Sequence, residues 1–241
     1  MSRPPCGLSV EPALFSYFLA IYLLYSVFHP LVFSKVCQAH LASLTDPGLT
    51  CTNIGQLNTT AAQDASQRIN EDTNFWIKVS SISATLPSLL GDILIGSWSD
   101  TFSRRLPLLL PSVGGLLATC IYLALLNIPS MGVAWLCAAS LLSGIFGGYT
   151  GVIAASFAYI SEVVEPTSRS WRVALAEGCV FLAATVGPFL SAALSSLFGN
   201  MAVFCLHGIC HLTNLLYCLW LPEPRLLEPA SVSLSSLFSL R

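Results

Sequence analysis

The chain has 241 residues, of which 54% are hydrophobic and only 9% charged, with a formal net charge of −2 and a mean hydropathy of +0.73. A soluble domain carries about 25% charged residues, so this composition excludes a soluble enzyme or scaffold, and the lack of a basic block excludes a nucleic-acid binder. So much apolar surface must be buried somewhere, which excludes a disordered chain; an integral membrane protein is the class that remains.

A helix needs about 20 mainly apolar residues to cross a bilayer, and six stretches reach that length. The first is about 12–34; it lacks a basic start and a small-residue cleavage site, so it is expected to be retained as a span. The second, about 76–97, is more polar. The third is about 106–126, the fourth a long glycine-rich run at about 132–160, the fifth about 172–197 and the sixth about 201–221. The expected fold is an all-α membrane domain of six helices over 12–221, preceded by a short segment 1–11 and followed by a tail, 222–241. Connections are short except for 35–75, which is polar, lacks helical apolar periodicity and is expected to be a hydrated loop. It contains Asn58-Thr59-Thr60, an N-glycosylation sequon.

Basic residues set the orientation. With the N-terminus cytoplasmic, that side holds Arg3, Arg104, Arg105, Arg169, Arg172, Arg225 and Arg241, and the other side Lys35, Arg68 and Lys78. The same choice puts Asn58 on the glycosylated side and, with six spans, returns the C-terminus to the cytoplasm. Of nine cysteines, six lie in apolar runs as small packing residues. Cys37 and Cys51, in or beside the polar loop, are free to pair with each other or with a group outside the chain.

Between spans two and three stands Gly96-Ser-Trp-Ser-Asp100-Thr-Phe-Ser-Arg104-Arg105. Gly96 is expected to let two helices approach. Asp100 can meet arginines and the positive end of a neighbouring helix, so the loop works as a charged latch. The motif resembles the major facilitator signature, with Ser103 where a glycine is usual. Leu221-Pro222-Glu223-Pro224-Arg225 resembles the signature after the sixth span of sugar-porter-like members. In span four, Gly144/Gly148 and Gly147/Gly151 give a small-residue face for helix contact, and Tyr149 and Thr150 are candidate cavity residues. Span five contains Glu177. A carboxylate inside a span normally faces a bundle interior or wet cavity, and reversible protonation there is what a proton-coupled carrier needs. Asp92, nearer the cytoplasmic end of span two, is a candidate gate residue that could pair with the loop cluster, and Gly187-Pro188 is expected to break or bend span five. His207 and His211 are one turn apart but lack a third ligand, so packing rather than metal binding is expected of them. No hydrolase, metalloprotease or nucleotide-binding motif is present; neither an enzyme nor a cofactor is expected.

Together, Val10-Glu11-Pro12, the Trp-Ser-Asp-x-x-x-Arg-Arg loop, Ala154-Ala-Ser-Phe157-Ala-Tyr and Ser168-Arg-Ser-Trp-Arg172-Val-Ala-Leu-Ala-Glu177 resemble, in order, the solute carrier 46 family, which includes the proton-coupled folate transporter. The resemblance implies a proton-coupled symporter of a small organic solute, with Glu177 as the proton-coupling residue, Asp100 and Arg104 in the conformational loop and Arg172 at the cytoplasmic start of span five. Ser140 and Gly148 stand where the folate carrier has an arginine and an aspartate, so substrate identity is not carried over. The family has twelve spans in two halves with the solute between them. This chain is expected to supply the N-terminal half, as a fragment, a short isoform that regulates the full-length carrier, or one copy of a homodimer.

Overall fold

The computed structural model describes residues 10–43, 51, 60–101 and 103–222. Long helices α1 (Glu11–Ser43) and α2 (Thr60–Thr101) come first. A tight turn leads to α3 (Leu106–Asn127), followed by α4 (Ala134–Ile145) and α5 (Tyr149–Val163). A 3-10 turn, Pro166–Ser168, introduces α6 (Arg169–Phe198), and α7 (Asn200–Trp220) ends the bundle. Six segments are long and apolar enough to cross a membrane, α4 and α5 together making the fourth. In hydrocarbon a helix satisfies its backbone groups internally, which an irregular chain cannot.

α1 has 33 residues and α2 has 42. At about 1.5 Å per residue they rise about 50 and about 63 Å, well past a hydrocarbon core of about 30 Å. Much of 35–75, expected as a loop, is therefore helix that projects from the membrane. The projecting turns of α2 from residue 63 to 75 bury only Ile69 and Thr73. With no apolar stripe they carry no helical periodicity to read. Cys37 and Cys51 pair with each other, and His40 Nε2 meets Asp72 Oδ2 at 2.6 Å, so the projecting parts of α1 and α2 are tied together.

α1 runs through the bundle against α6 on one side and α7 on the other; α2 packs on α4, and α3 on both α4 and α7. Two apolar clusters fill the interior. One, around Leu23, Val27, Leu31, Leu125, Leu136 and Phe204, lies toward the disulfide. The other, around Leu14, Phe18, Leu108, Tyr159, Ile160 and Ala176, lies toward the arginine-bearing turns. Gly187-Pro188 does not break span five: α6 continues through it. Gly187 instead admits α1, since a Cβ there would lie 2.6 Å from that of Tyr22. Gly199, at φ +80°, reverses the chain between α6 and α7 in one residue, a conformation that favours glycine. Half of the most apolar stretch of α3 is buried, against 11% for α2 and 17% for the span containing α6. Thus α3 is a core helix while α2 and α6 are outer walls.

Candidate functional site

Span four is not one helix. α4 stops at Ile145, Gly147 takes φ +102°, and α5 starts after Gly148. Asp92 of α2 reaches into the break. Its Oδ1 accepts the Gly148 N–H at 2.9 Å and its Oδ2 accepts the Thr150 hydroxyl at 2.8 Å. A carboxylate at the start of a helix satisfies free N–H groups and complements the positive end of the helix dipole. The glycines make this possible. A Cβ at Gly151 would fall on the Asp92 carboxylate, and one at Gly144 on the backbone of Ala84. The small-residue face of span four does pack on α2, and it also breaks the helix there. Asp92 thus caps α5, and does not join the loop cluster expected for it: two residues of the span-four break occupy both its oxygens.

Beside the break lies a cavity of about 530 Å³ between α1, α2, α3, α4 and α7. Of the two candidate cavity residues, Tyr149 lines this cavity and Thr150 turns to Asp92. Tyr17, Tyr122, Ser140, His207 and His211 also reach its wall. Among the described residues no Asp, Glu, Lys or Arg lines it. α7 reaches this wall through His207 and His211, which the sequence reads as packing residues and which are buried among aromatic rings.

The basic loop is built as a set of cross-links. Arg104 Nε donates to Glu162 Oε1 at the end of α5 at 2.8 Å, with Nη2 at 2.5 Å from the same oxygen. The Arg104 Nη1 group also lies 3.4 Å from Ser99 Oγ. Arg105 Nη1 donates to the Leu219 carbonyl at the end of α7 at 3.4 Å, where cations favour the helix dipole. Ser103 accepts the Arg105 N–H at 3.2 Å. The Asp100 side chain, Asn58 and residues 223–241 lie outside the described residues. Gly96 does not mediate a close approach: it is exposed, and a Cβ there would meet nothing within 4 Å. The close contact of α2 falls at Gly91, whose Cβ position is 3.1 Å from the Ile145 carbonyl.

Arg172, at the start of α6, faces Glu11, at the start of α1, with Nε–Oε1 at 3.0 Å and Nη2–Oε2 at 3.3 Å. The Glu11 side chain is only 1% exposed. Neither Glu11 nor Glu162 was singled out from the sequence as a charge partner; the available signal was a carboxylate at the end of an apolar run. Glu177 lies on the exposed face of α6, about one and a half helical turns beyond Arg172. The structure does not gather Glu177, Asp92 and the arginine cluster into one network: Asp92 caps α5, Arg104 meets Glu162 and Arg172 meets Glu11.

The family model of the Major Facilitator Superfamily matches residues 12–239. The chain belongs to the Major Facilitator Superfamily. This superfamily is one of transporters rather than enzymes, and the chain is an integral multi-pass membrane protein. It is 30% identical to the proton-coupled folate transporter of Bos taurus over 125 residues, which is 52% of this chain and 27% of that protein. It is also 30% identical to the lysosomal proton-coupled steroid conjugate and bile acid symporter of Bos taurus, over 64% of this chain and 33% of that protein. Both relatives are solute carrier 46 members, as the sequence motifs led us to expect. The crystal structure of the human organic anion transporter MFSD10 aligns with a TM-score of 0.63 at 22% identity, covering 95% of this chain and 50% of that one. That likeness establishes the major facilitator fold, and the match spans half of that transporter's length.

Proposed function

We propose that this chain is one six-helix half of a proton-coupled secondary carrier of the solute carrier 46 type. Both termini are cytoplasmic, and the membrane is the plasma membrane or an endolysosomal one. The observation that carries the reading is the cavity of about 530 Å³ beside the broken span, mostly apolar with a few serine, tyrosine and histidine groups in its wall; small-molecule sites fall at about 300–1,000 Å³. A solute site in this fold sits between two halves. A second six-helix bundle, from another chain segment or a second copy, completes the cavity. The solute is a small organic molecule such as a folate-like anion or a cell-wall fragment, a reading supported by the two proton-coupled relatives.

Glu177 carries the coupled proton. Its charged and neutral forms favour different conformations, and solute binding shifts that balance. Arg104, Arg105 and Asp100 latch the cytoplasmic side with Gly96 in the same turn, and Arg172 latches α6 to α1. The match to half a transporter also supports a second reading, in which the chain binds a full-length carrier and holds it back.

Uptake of folic acid, taurocholate and a bacterial cell-wall fragment by cells expressing this chain decides between them, with surface expression measured. Uptake that rises at acidic pH, and loses its pH dependence in Glu177→Gln, supports the carrier. Unchanged pH dependence in that variant removes Glu177 from the coupling. No uptake despite surface expression, with inhibition of a co-expressed full-length carrier, supports the regulator.

A further inference from the structure

The pair His207 and His211 on α7 was expected to serve packing, and the structure places both in the cavity wall. The rings lie 4.7 Å apart at 78°. Tyr17 of α1 meets His211 edge-on at 5.5 Å, and Tyr122 of α3 meets His207 at 6.3 Å. The two histidines are only 2% and 3% exposed.

The hydrogen bonds of His207 fix its tautomer. Thr119 has one hydroxyl hydrogen and gives it to the Gly115 carbonyl at 2.7 Å. Its oxygen then accepts from His207 Nδ1, also at 2.7 Å. The ring proton sits on Nδ1, and Nε2 is an acceptor. His211 is held differently. Gly115 makes room for its ring, since a Cβ there would collide with it. Its Nδ1 is buried and meets no hydrogen-bond partner among the described residues. Buried polar atoms are nearly always bonded, and an exception calls for a partner from elsewhere.

We infer that His211 forms the polar recognition point of the cavity and donates a hydrogen bond to a carboxylate or sulfonate of the transported organic acid, while His207, its proton held by Thr119, braces it. The inference rests on the carrier reading and adds the residue that selects the solute. The chemistry of the wall supports it. Among the described residues the cavity lining holds no lysine or arginine to bind an anion, and the nearby Asp92 carboxylate is taken up by the Gly148 N–H and the Thr150 hydroxyl. The polar groups that remain in the wall beside His211 are serine, threonine and tyrosine hydroxyls and the imidazoles of His29 and His207. The rings of Tyr17 and Tyr122 flank the pair and give an apolar body a surface to rest on.

The test begins without any solute. The chain in lipid nanodiscs is treated with diethyl pyrocarbonate, and each modified histidine is mapped by mass spectrometry. His211 is expected to react in the folded chain, more slowly than exposed, cavity-lining His29. Reaction at His211 only after unfolding makes it a packing residue and overturns the inference. Taurocholate and folic acid are then added. At least one is expected to slow the reaction at His211, and His211→Phe to weaken its binding by about tenfold or more. His211→Gln, which keeps a hydrogen-bonding amide, is expected to retain most of the affinity, and Gly115→Ala, which displaces the ring, to lose it. Equal affinity in wild type and His211→Phe overturns the inference. So does reaction at His211 that neither anion slows. Acid-stimulated uptake with that result leaves the carrier reading standing. Protection at His211 without uptake has the opposite meaning: His211 recognises the anion, and the carrier reading fails.

Discussion

Asp92 shows how much one side chain decides. Its two oxygens take the Gly148 N–H and the Thr150 hydroxyl, and both bonds disappear in Asp92→Ala. Loss of a helix cap costs about 1–2 kcal/mol, so the variant is expected to unfold at a lower temperature in detergent. Asp92→Asn keeps one acceptor and is expected to lose less. Gly151→Ala drives a methyl group onto the same carboxylate and should reproduce the alanine variant. Equal melting of all these proteins would show that the cap contributes nothing. The identity of Asp92 could be read from the sequence, but its partners could not. They lie 56 and 58 residues away, and they are accessible only because glycines clear the space.

At the scale of elements, the Glu11–Arg172 pair joins the starts of α1 and α6 across 161 residues. Removing one member of a buried ion pair costs about 3–5 kcal/mol. Glu11→Ala and Arg172→Ala are each expected to destabilise the bundle strongly, and the double variant less than the sum of the two. Additive losses would mean that the two groups act apart. The six spans were legible because hydropathy over about 20 residues is a physical requirement of the bilayer. The helical continuations of α1 and α2 were not, because water accepts a helix that is polar all round and leaves no pattern. The break in span four was hidden for another reason. Gly144, Gly147, Gly148 and Gly151 fit a packing face equally well, and residue type does not report a φ of +102° at Gly147.

At the scale of the whole molecule, orientation becomes measurable. A disulfide persists on the oxidising side of a membrane, and Cys37–Cys51 brackets the chain just before the Asn58 sequon. If that side is extracellular or lumenal, glycosidase treatment shifts the wild-type band and has no effect on Asn58→Gln, while a thiol-reactive probe labels Cys37 and Cys51 only after reduction. An unshifted band together with cytoplasmic labelling of these cysteines would invert the topology. The two-piece fourth span has a mechanical meaning as well. A continuous helix passes a tilt along its full length, whereas two rods meeting at a glycine joint can be steered separately. α5 carries Glu162, held by Arg104, while α4 carries Ser140 on the cavity wall. If the chain moves as proposed, the joint acts as a universal coupling: the arginine end swings α5 while α4 keeps its bearing.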